Sequence, residues 1–473
     1  MREKTLGVGY PAYNARLYHF ALDLMANYTL EGTLGRGAFG RVERARSDTG
    51  LVVALKVFEP SAAVTNAIAA GHVTIEELRR RFFSEATYQA RIDHPNVVKV
   101  FESNLASNPP FFVMELAEAT LAQDLSFDHT LNGAPHQALF DILAGLEGLH
   151  GQGIYHRDLK PQNILRLRNQ DGSPRYAISD FGLIKITAGD ATTLTMTGAQ
   201  GGTERYAAPE LISNFKRATA RSDIYSFGVI LFDIFVGPLA RVPYTEVAID
   251  GPIGLVAAKC TKSLPARRYA TIADLRAALY EALQKAPPKF GSPREEHVIE
   301  LLRSGVVLAE QDWDRVFLLL EELAPFTQAK DLILRSFSRP HMEALAGEAP
   351  DLLMAFASYY VDYVDACRGK FDFDYCDVVV DKLTWLFELG EVAVKARVLL
   401  SMLGLGVSHN RWFVERRFMQ LAGHSLDAAV ADRIVMDVEV GGIDVLSDIG
   451  HLERSINVSR TALALPLHKL WGG

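Results

Sequence analysis

Two short stretches constrain this chain more than anything else in it. His156-Arg-Asp-Leu-Lys-Pro-Gln-Asn163 places a carboxylate, Asp158, and a carboxamide, Asn163, five residues apart on a proline-containing loop. Asp180-Phe-Gly182 brings a second carboxylate 17 residues after Asn163. Phosphoryl transfer needs a carboxylate at the attacking hydroxyl, oxygen ligands for Mg2+, and positive charge on the transferring group. Asp158, Asn163, Asp180 and Lys160 supply these types in a fixed order. Ala208-Pro-Glu210 follows 28 residues after Asp180.

Upstream, Gly35-Arg-Gly-Ala-Phe-Gly40 is a GxGxxG loop followed by Val42. Glycines let backbone amides approach phosphates with no Cβ in the way. Alone, the pattern describes an ordinary glycine hairpin equally well. Its context narrows it, because it lies between two strand-like runs and does not open a helix, which argues against a dinucleotide fold. Val53-Ala-Leu-Lys56 puts a lysine on the next strand, 16 residues after Gly40. A strand lysine is commonly a solvated edge residue; beside a glycine loop it can hold α- and β-phosphates.

Periodicity predicts an α+β organisation. Strand patterns occupy Tyr28–Leu34, Val42–Ala45 and Leu51–Phe58, with shorter ones at Val97–Ser103 and Phe111–Leu116. A helix should open at Thr74, where Glu77 completes a capping-box signature, and run to about Ile92. From about 121 to 285 helices dominate, apart from a Thr-, Gly- and Ala-rich loop at about 183–207. The Pro- and Gly-dense segment 286–293 reads as a linker. Beyond it come nine to eleven short amphipathic helices without a strict repeat period. The expected domains are a lead-in (1–27), a small lobe (28–117), a helical lobe (118–285), the linker, and an all-helical domain (294–473).

Charge separates these parts. Residues 290–473 carry 18 basic and 28 acidic side chains, a net of −10, whereas 1–289 carry +2. An acidic helical array suits a regulatory or protein-binding surface, and an overall charge of −8 argues against nucleic acid as a partner. Cys260, Cys367 and Cys376 are scattered and form no CxxC pair, so a disulfide framework or zinc knuckle is not expected. No run reaches 18 uncharged apolar residues and the first 20 residues lack a signal-like apolar stretch, so no membrane span and a cytoplasmic location are expected.

In this order the motifs resemble the eukaryotic-type (Hanks-type) Ser/Thr protein kinase family over about residues 28–285. The resemblance implies a bilobal fold, ATP and Mg2+ as cofactors with Mn2+ as an alternative metal, and protein Ser/Thr hydroxyls as acceptors. Gly35, Gly37 and Gly40 would cover the ATP phosphates, and Val42 and Ala54 would pack the adenine. Lys56 would contact phosphates and pair with Glu85. Met114 would be the gatekeeper, Glu115–Ala117 the hinge, and Leu165 the pocket floor. Asp158 would be the catalytic base, Lys160 would stabilise the γ-phosphate, and Asn163 and Asp180 would bind Mg2+. Lys160 and Gly202-Thr203 indicate Ser/Thr specificity. Glu210 should pair with Arg268, and Asp223 should anchor the catalytic loop. Arg157 beside Asp158 implies control by phosphorylation of the loop, with Thr195 and Thr197 as sites. His409-Asn-Arg-Trp-Phe-Val414 resembles a stretch found in HEAT-type repeats.

Three departures accompany the resemblance. Lys56 and Glu85 stand 29 residues apart, about ten more than usual, so residues 60–73 should form an extra turn or short helix. Gln89 occupies a normally apolar place one turn after Glu85; a buried amide without a partner costs about 1–3 kcal/mol. Only 45 residues separate Asp223 from Arg268, so a substrate-docking helix there should be reduced or missing. A pseudokinase scaffold is the alternative function, and a small-molecule kinase is a third, disfavoured by the complete Gly202-Thr203…Tyr206…Pro209-Glu210 segment.

Overall fold

The computed structural model describes residues 28–169, 172–181, 203–213, 218–237, 241–284, 290–304 and 307–472. The chain divides into two compact units, Met1–Leu275 and Arg276–Gly473. The division falls about ten residues before the Pro-rich segment expected as the linker, within the helix Ile272–Leu283.

The first unit begins with a five-stranded antiparallel sheet: β1 (Tyr28–Arg36), β2 (Gly40–Ser47), β3 (Val52–Phe58), β4 (Val100–Asn104) and β5 (Phe111–Met114), in spatial order β1-β2-β3-β5-β4. β3 is central and buried on both faces, which explains an apolar run that only Lys56 interrupts. Val53, Leu55 and Val57 pack with Ala45, Phe111 and Val113 on one face. Ala54 and Phe58 pack on the other, with Phe112 and Met114. The two-residue period therefore places Lys56 on the second face.

That face is covered by two helices, α1 (Ala62–Ala69) and α2 (Ile75–Ala90). α1 is the helix expected within residues 60–73. Ser61 caps it, and Val64 and Ala67 join the same core as Phe58, Leu78 and Phe82. α2 starts at the predicted capping box, with Thr74 and Glu77 each bonding the other's backbone amide. Its buried stripe runs Leu78, Phe82, Glu85, Gln89. Helical geometry thus carries Glu85 inward along an otherwise apolar row. Gln89 is satisfied, since its Nε2 donates to the Val98 carbonyl at 2.8 Å.

The remainder of this unit holds a small sheet, β6 (Ala119–Thr120), β7 (Ile164–Arg168) and β8 (Pro174–Ile178), and helices α3 (Leu121–Phe127), α4 (His136–His150), α5 (Glu210–Ser213), α6 (Ala220–Phe235), α7 (Gly251–Cys260) and the start of α8 (Ile272–Leu283). α6 is buried from Ser222 to Leu231 and is the axis of the lobe. A Cβ on Gly228 would stand 2.5 Å from the Cys260 Cβ, so glycine is what lets α6 and α7 pack this closely. Among the described residues no helix lies between Phe235 and Gly251, where a reduced docking helix was expected.

The second unit contains the rest of α8 and eleven helices: α9 (Pro293–Arg303), α10 (Glu310–Glu322), α11 (Gln328–Ser336), α12 (Arg339–Glu348), α13 (Pro350–Ala366), α14 (Tyr375–Leu389), α15 (Val392–His409), α16 (Trp412–Leu421), α17 (Ala428–Gly441), α18 (Val445–Ser455) and α19 (Leu465–Gly472). α14 and α15 are its most buried elements. α15 is long and apolar enough to cross a membrane by length and composition, but most of it is buried inside the unit, as in a core helix. Trp313, Trp385 and Trp471 are buried packing anchors.

Ions are also built into this core. Arg411, expected on a solvated helix face, is instead 3% exposed and grips Asp377 through two bonds of 2.7 and 2.6 Å. Arg276, from α8, reaches Asp381 at 2.5 Å. The Lys382 ammonium closes the end of α11 by donating to the carbonyls of Leu334, Arg335 and Phe337. Sequence charge counts cannot separate such buried ions from surface ones. Arg411→Met removes the cation against which Asp377 is buried, and should lower the unfolding free energy of the second unit by about 3–5 kcal/mol, measured by urea denaturation.

Candidate active site

The site is assembled from the open ends of β2, β3 and β5, the buried face of α2, and the loop between α4 and β7. The glycine loop joins β1 to β2. Gly37 N donates to Gly40 O at 2.8 Å, closing its turn. A Cβ on Gly40 would lie 2.8 Å from the Val57 carbonyl, so strand pairing at this point requires glycine.

Lys56 is the electrostatic centre. Its Nζ lies 2.6 Å from Glu85 Oε1 and 2.6 Å from Asp180 Oδ1. Burial disfavours its charge, but Asp180 and Glu85 together outweigh burial and raise its pKa. Burial is also the largest influence on Glu85, and pushes its carboxyl up to about 7 against the pull of Lys56. Asp180 stays below the ordinary carboxylate range: burial opposes its charge, and Lys56 more than compensates. Asp180 sits at φ 56°, a left-handed conformation that costs free energy and recurs at functional sites.

The catalytic loop hangs from α6. Both Asp223 oxygens accept main-chain hydrogen bonds, from His156 N at 2.9 Å and Arg157 N at 2.8 Å, and His150 Nε2 adds a third at 2.8 Å. Burial works against this charge, yet His150, His156 and the Arg157 amide hold the carboxyl low. His156 is fully buried, which keeps it neutral. Its Nε2 donates to the Ser179 carbonyl at 3.0 Å, and its ring edge meets Phe181. One imidazole therefore ties the catalytic loop to the Asp180-Phe181 segment.

Within the loop, Lys160 Nζ lies 2.9 Å from Asp158 Oδ2. Asn163 Nδ2 donates to the Asp158 carbonyl at 2.9 Å and to Oδ2 at 3.2 Å. The predicted base, cation and metal ligand are thus in mutual contact. Arg157 is in the left-handed region at φ 66°, and its buried Nε and Nη1 find no hydrogen-bond partner among the described residues. Burial lowers its pKa.

The other predicted residues fall around these. Ala54 pairs with Met114 across β3 and β5, both buried, and Val42 and Leu165 pack against the same cluster. Glu115 N is taken by the Lys99 carbonyl and Glu118 N by Arg166 O. Among the described residues no intrachain bond takes the Glu115 carbonyl or the Ala117 amide. Glu210 and Arg268 form a two-bonded pair at 2.7 and 2.8 Å, with Arg268 3% exposed. Thr203 opens a one-turn 3-10 helix, Thr203–Arg205. Thr195 and Thr197 lie outside the described residues.

Three further contributors have no local sequence signature. His150 meets Asp223 from 73 positions away. Asp233, buried on α6, takes both Arg205 and the Tyr206 hydroxyl. Arg175 holds the hinge carboxylate of Glu115 at 2.6 Å. Only the fold brings these partners together.

A glycine loop, a lysine bridging a buried glutamate and a half-exposed aspartate, and an Asp-Lys-Asn loop hung from a central helix together make the arrangement that phosphoryl transfer requires. Residues 28–248 match the family model described as the protein kinase domain. The chain is 32% identical over 246 residues to "Serine/threonine-protein kinase pkn3" of Myxococcus xanthus, covering 50% of this chain and 42% of that protein. It is 31% identical over 289 residues to "Serine/threonine-protein kinase PknJ" of Mycobacterium tuberculosis (55% and 46%). It is 29% identical over 266 residues to "CBL-interacting protein kinase 26" of Oryza sativa subsp. japonica (56% and 50%). The match spans about half the length of these relatives or less. Residues 28–248 are therefore similar to the kinase domains of Ser/Thr protein kinases, and a helical region follows them.

The elevated Glu85 pKa has a consequence for pH. As an acid whose folded pKa is raised, Glu85 favours folding at acid pH, and that contribution is lost as pH rises through about 7. The ion pair with Lys56 has the opposite trend, because it needs the carboxylate. Phosphate transfer should therefore rise between pH 6 and 8 in a kcat/KM profile. Glu85→Gln should flatten that rise and leave low, pH-insensitive activity.

Proposed function

We propose that the chain is an ATP- and Mg2+-dependent Ser/Thr protein kinase that phosphorylates protein hydroxyls and its own activation loop. The observation that carries this reading is the Lys56 ammonium held between Glu85 and Asp180 at 2.6 Å each. That geometry poises a cation and a metal-binding carboxylate over one cleft. ATP with Mg2+ supplies the transferable phosphoryl group. The donor set fits it: hinge groups without intrachain partners face adenine chemistry, Lys56 suits phosphates, and Asn163 and Asp180 would hold the metal. Two protein oxygens are a normal share for Mg2+, which takes its other ligands from phosphates and water. Among the described residues no larger metal-ligating cluster exists, in keeping with that division.

Asp158 would orient the acceptor hydroxyl and take its proton as that oxygen bonds to the γ-phosphorus and the bond to the leaving ADP breaks, while Lys160 would offset charge on the γ-phosphate oxygens. The buried Arg157 nitrogens, unpartnered among the described residues, suit an anion brought by the activation loop. A phosphothreonine at Thr195 or Thr197 supplies about −1.5 to −2 charge for such a contact. Gln89, the sequence feature that leaned toward a pseudokinase scaffold, is a satisfied amide, with its Nε2 donating to the Val98 carbonyl. The acidic helical unit is read as a regulatory or substrate-docking surface for a protein partner, in the cytoplasm; the chain's three free cysteines fit a reducing compartment.

Phosphosite mapping by mass spectrometry, on wild type and Asp158→Asn incubated with Mg2+ and ATP, tests this. Phosphate on Thr195 or Thr197 in wild type only, with nucleotide binding preserved in the variant, is the expected result. No incorporation by wild type into itself or a basic protein substrate would refute kinase activity. Thr195→Ala combined with Thr197→Ala should lower the rate of transfer at every ATP concentration; an unchanged rate would remove loop control.

A further inference from the structure

The segment between β3 and α1 is tied to the glycine loop by both backbone and side chains. Ser61 N donates to the Ala38 carbonyl at 2.9 Å, and Glu59 N donates to the Phe39 carbonyl at 3.2 Å. Ala38 and Phe39 are the two residues at the tip of the loop. Glu59 also reaches both of its legs: Oε1 lies 2.6 Å from Arg36 Nη1, and Oε2 lies 3.3 Å from Arg41 Nη1. Arg36 precedes Gly37 and Arg41 follows Gly40, so one carboxylate bridges the start and end of the turn. Phe39 packs on the core cluster that contains Val64 and Ala67 of α1. The strap is itself anchored, because Ser61 caps α1 and α1 is bound into that core.

We propose that residues 59–61, held by α1, are a strap that positions the glycine loop for nucleotide, with Glu59 and Ser61 as positioning residues. The proposal rests on the reading of this loop as the cover of the ATP phosphates. A glycine-rich turn has many accessible conformations and loses that freedom when it closes on a ligand. Hydrogen bonds that hold its tip beforehand remove part of that loss, and tighten binding without touching the nucleotide. The extra residues between Lys56 and Glu85 thereby gain a role at the site. The ion pairs are exposed, with Arg36 and Glu59 at 59% and 42%, so the backbone bonds contribute more than they do.

Ser61 allows a clean test, since its φ of −62° is already that of proline. Ser61→Pro removes the N–H that holds Ala38 and also the side-chain cap. Ser61→Ala removes the cap alone. Binding of a fluorescent ATP analogue with Mg2+ to the full chain should be about three- to ten-fold weaker for Ser61→Pro than for Ser61→Ala, the loss expected for one hydrogen bond. The KM for ATP should rise in parallel while kcat stays within about two-fold. Glu59→Ala, a surface change, should weaken binding by about two-fold at low salt and less at high salt. Equal affinities for the two Ser61 variants, with Glu59→Ala indistinguishable from wild type, would overturn the strap while leaving the kinase reading intact. Tighter binding by Ser61→Pro or Glu59→Ala would overturn it too, by showing that the contacts hold the loop closed. If wild type does not bind the analogue, the phosphate-site reading falls and the strap with it.

Discussion

One buried cation makes the rest of the catalytic unit necessary. Lys56 sits on the central strand of the sheet, where an isolated ammonium would be strongly destabilising. It is tolerated because two carboxylates from distant positions meet it, Glu85 from α2 and Asp180 from the segment after β8. That requirement fixes where α2 must lie and how the chain must leave β8. It also explains why α2 buries a glutamate in line with Leu78 and Phe82. Removing any of the three leaves the others as poorly compensated buried charge, so the trio is a structural constraint as well as a chemical one.

A second constraint supports the first from below. α6 is so thoroughly buried that Asp223 cannot move, and its two oxygens hold the catalytic loop by its own backbone. His156 passes that rigidity to the Asp180-Phe181 segment through Ser179. The strained φ values of Arg157 and Asp180 lie on the two sides of this link. At these two positions the strain is held by a bonded backbone, as expected where geometry must be set in advance of a ligand. The strap at residues 59–61 extends the same principle to the glycine loop.

The helical unit uses charge differently. Its net negative charge lies on the outside, while its interior contains ion pairs, Arg411 with Asp377 and Arg276 with Asp381. Because Arg276 lies on α8, the helical unit begins ten residues or so before the Pro-rich segment that composition marks as a boundary. Pro and Gly density reports where the backbone turns, whereas a compact unit ends where its buried contacts end.

The proposed catalytic set was the part most legible along the chain. Asp158, Lys160, Asn163 and Asp180 are legible because loop chemistry confines them to short, ordered spacings, and α2 was legible from its capping box. Glu85 was readable only through the family resemblance, and the unusually long gap from Lys56 to Glu85 pointed to an extra turn or short helix before it. Partnerships between residues far apart in the chain emerged only with the fold. Gln89 is harmless because Val98 offers a carbonyl. Arg411 is buried because Asp377 awaits it, and His150 matters because Asp223 lies across from it. A hydrogen bond or buried ion pair is a property of two groups brought within about 3 Å, and no pattern around either residue alone records the other. The charge imbalance shows the same division: its amount and location along the chain were plain from composition, but which charges face water was set by packing.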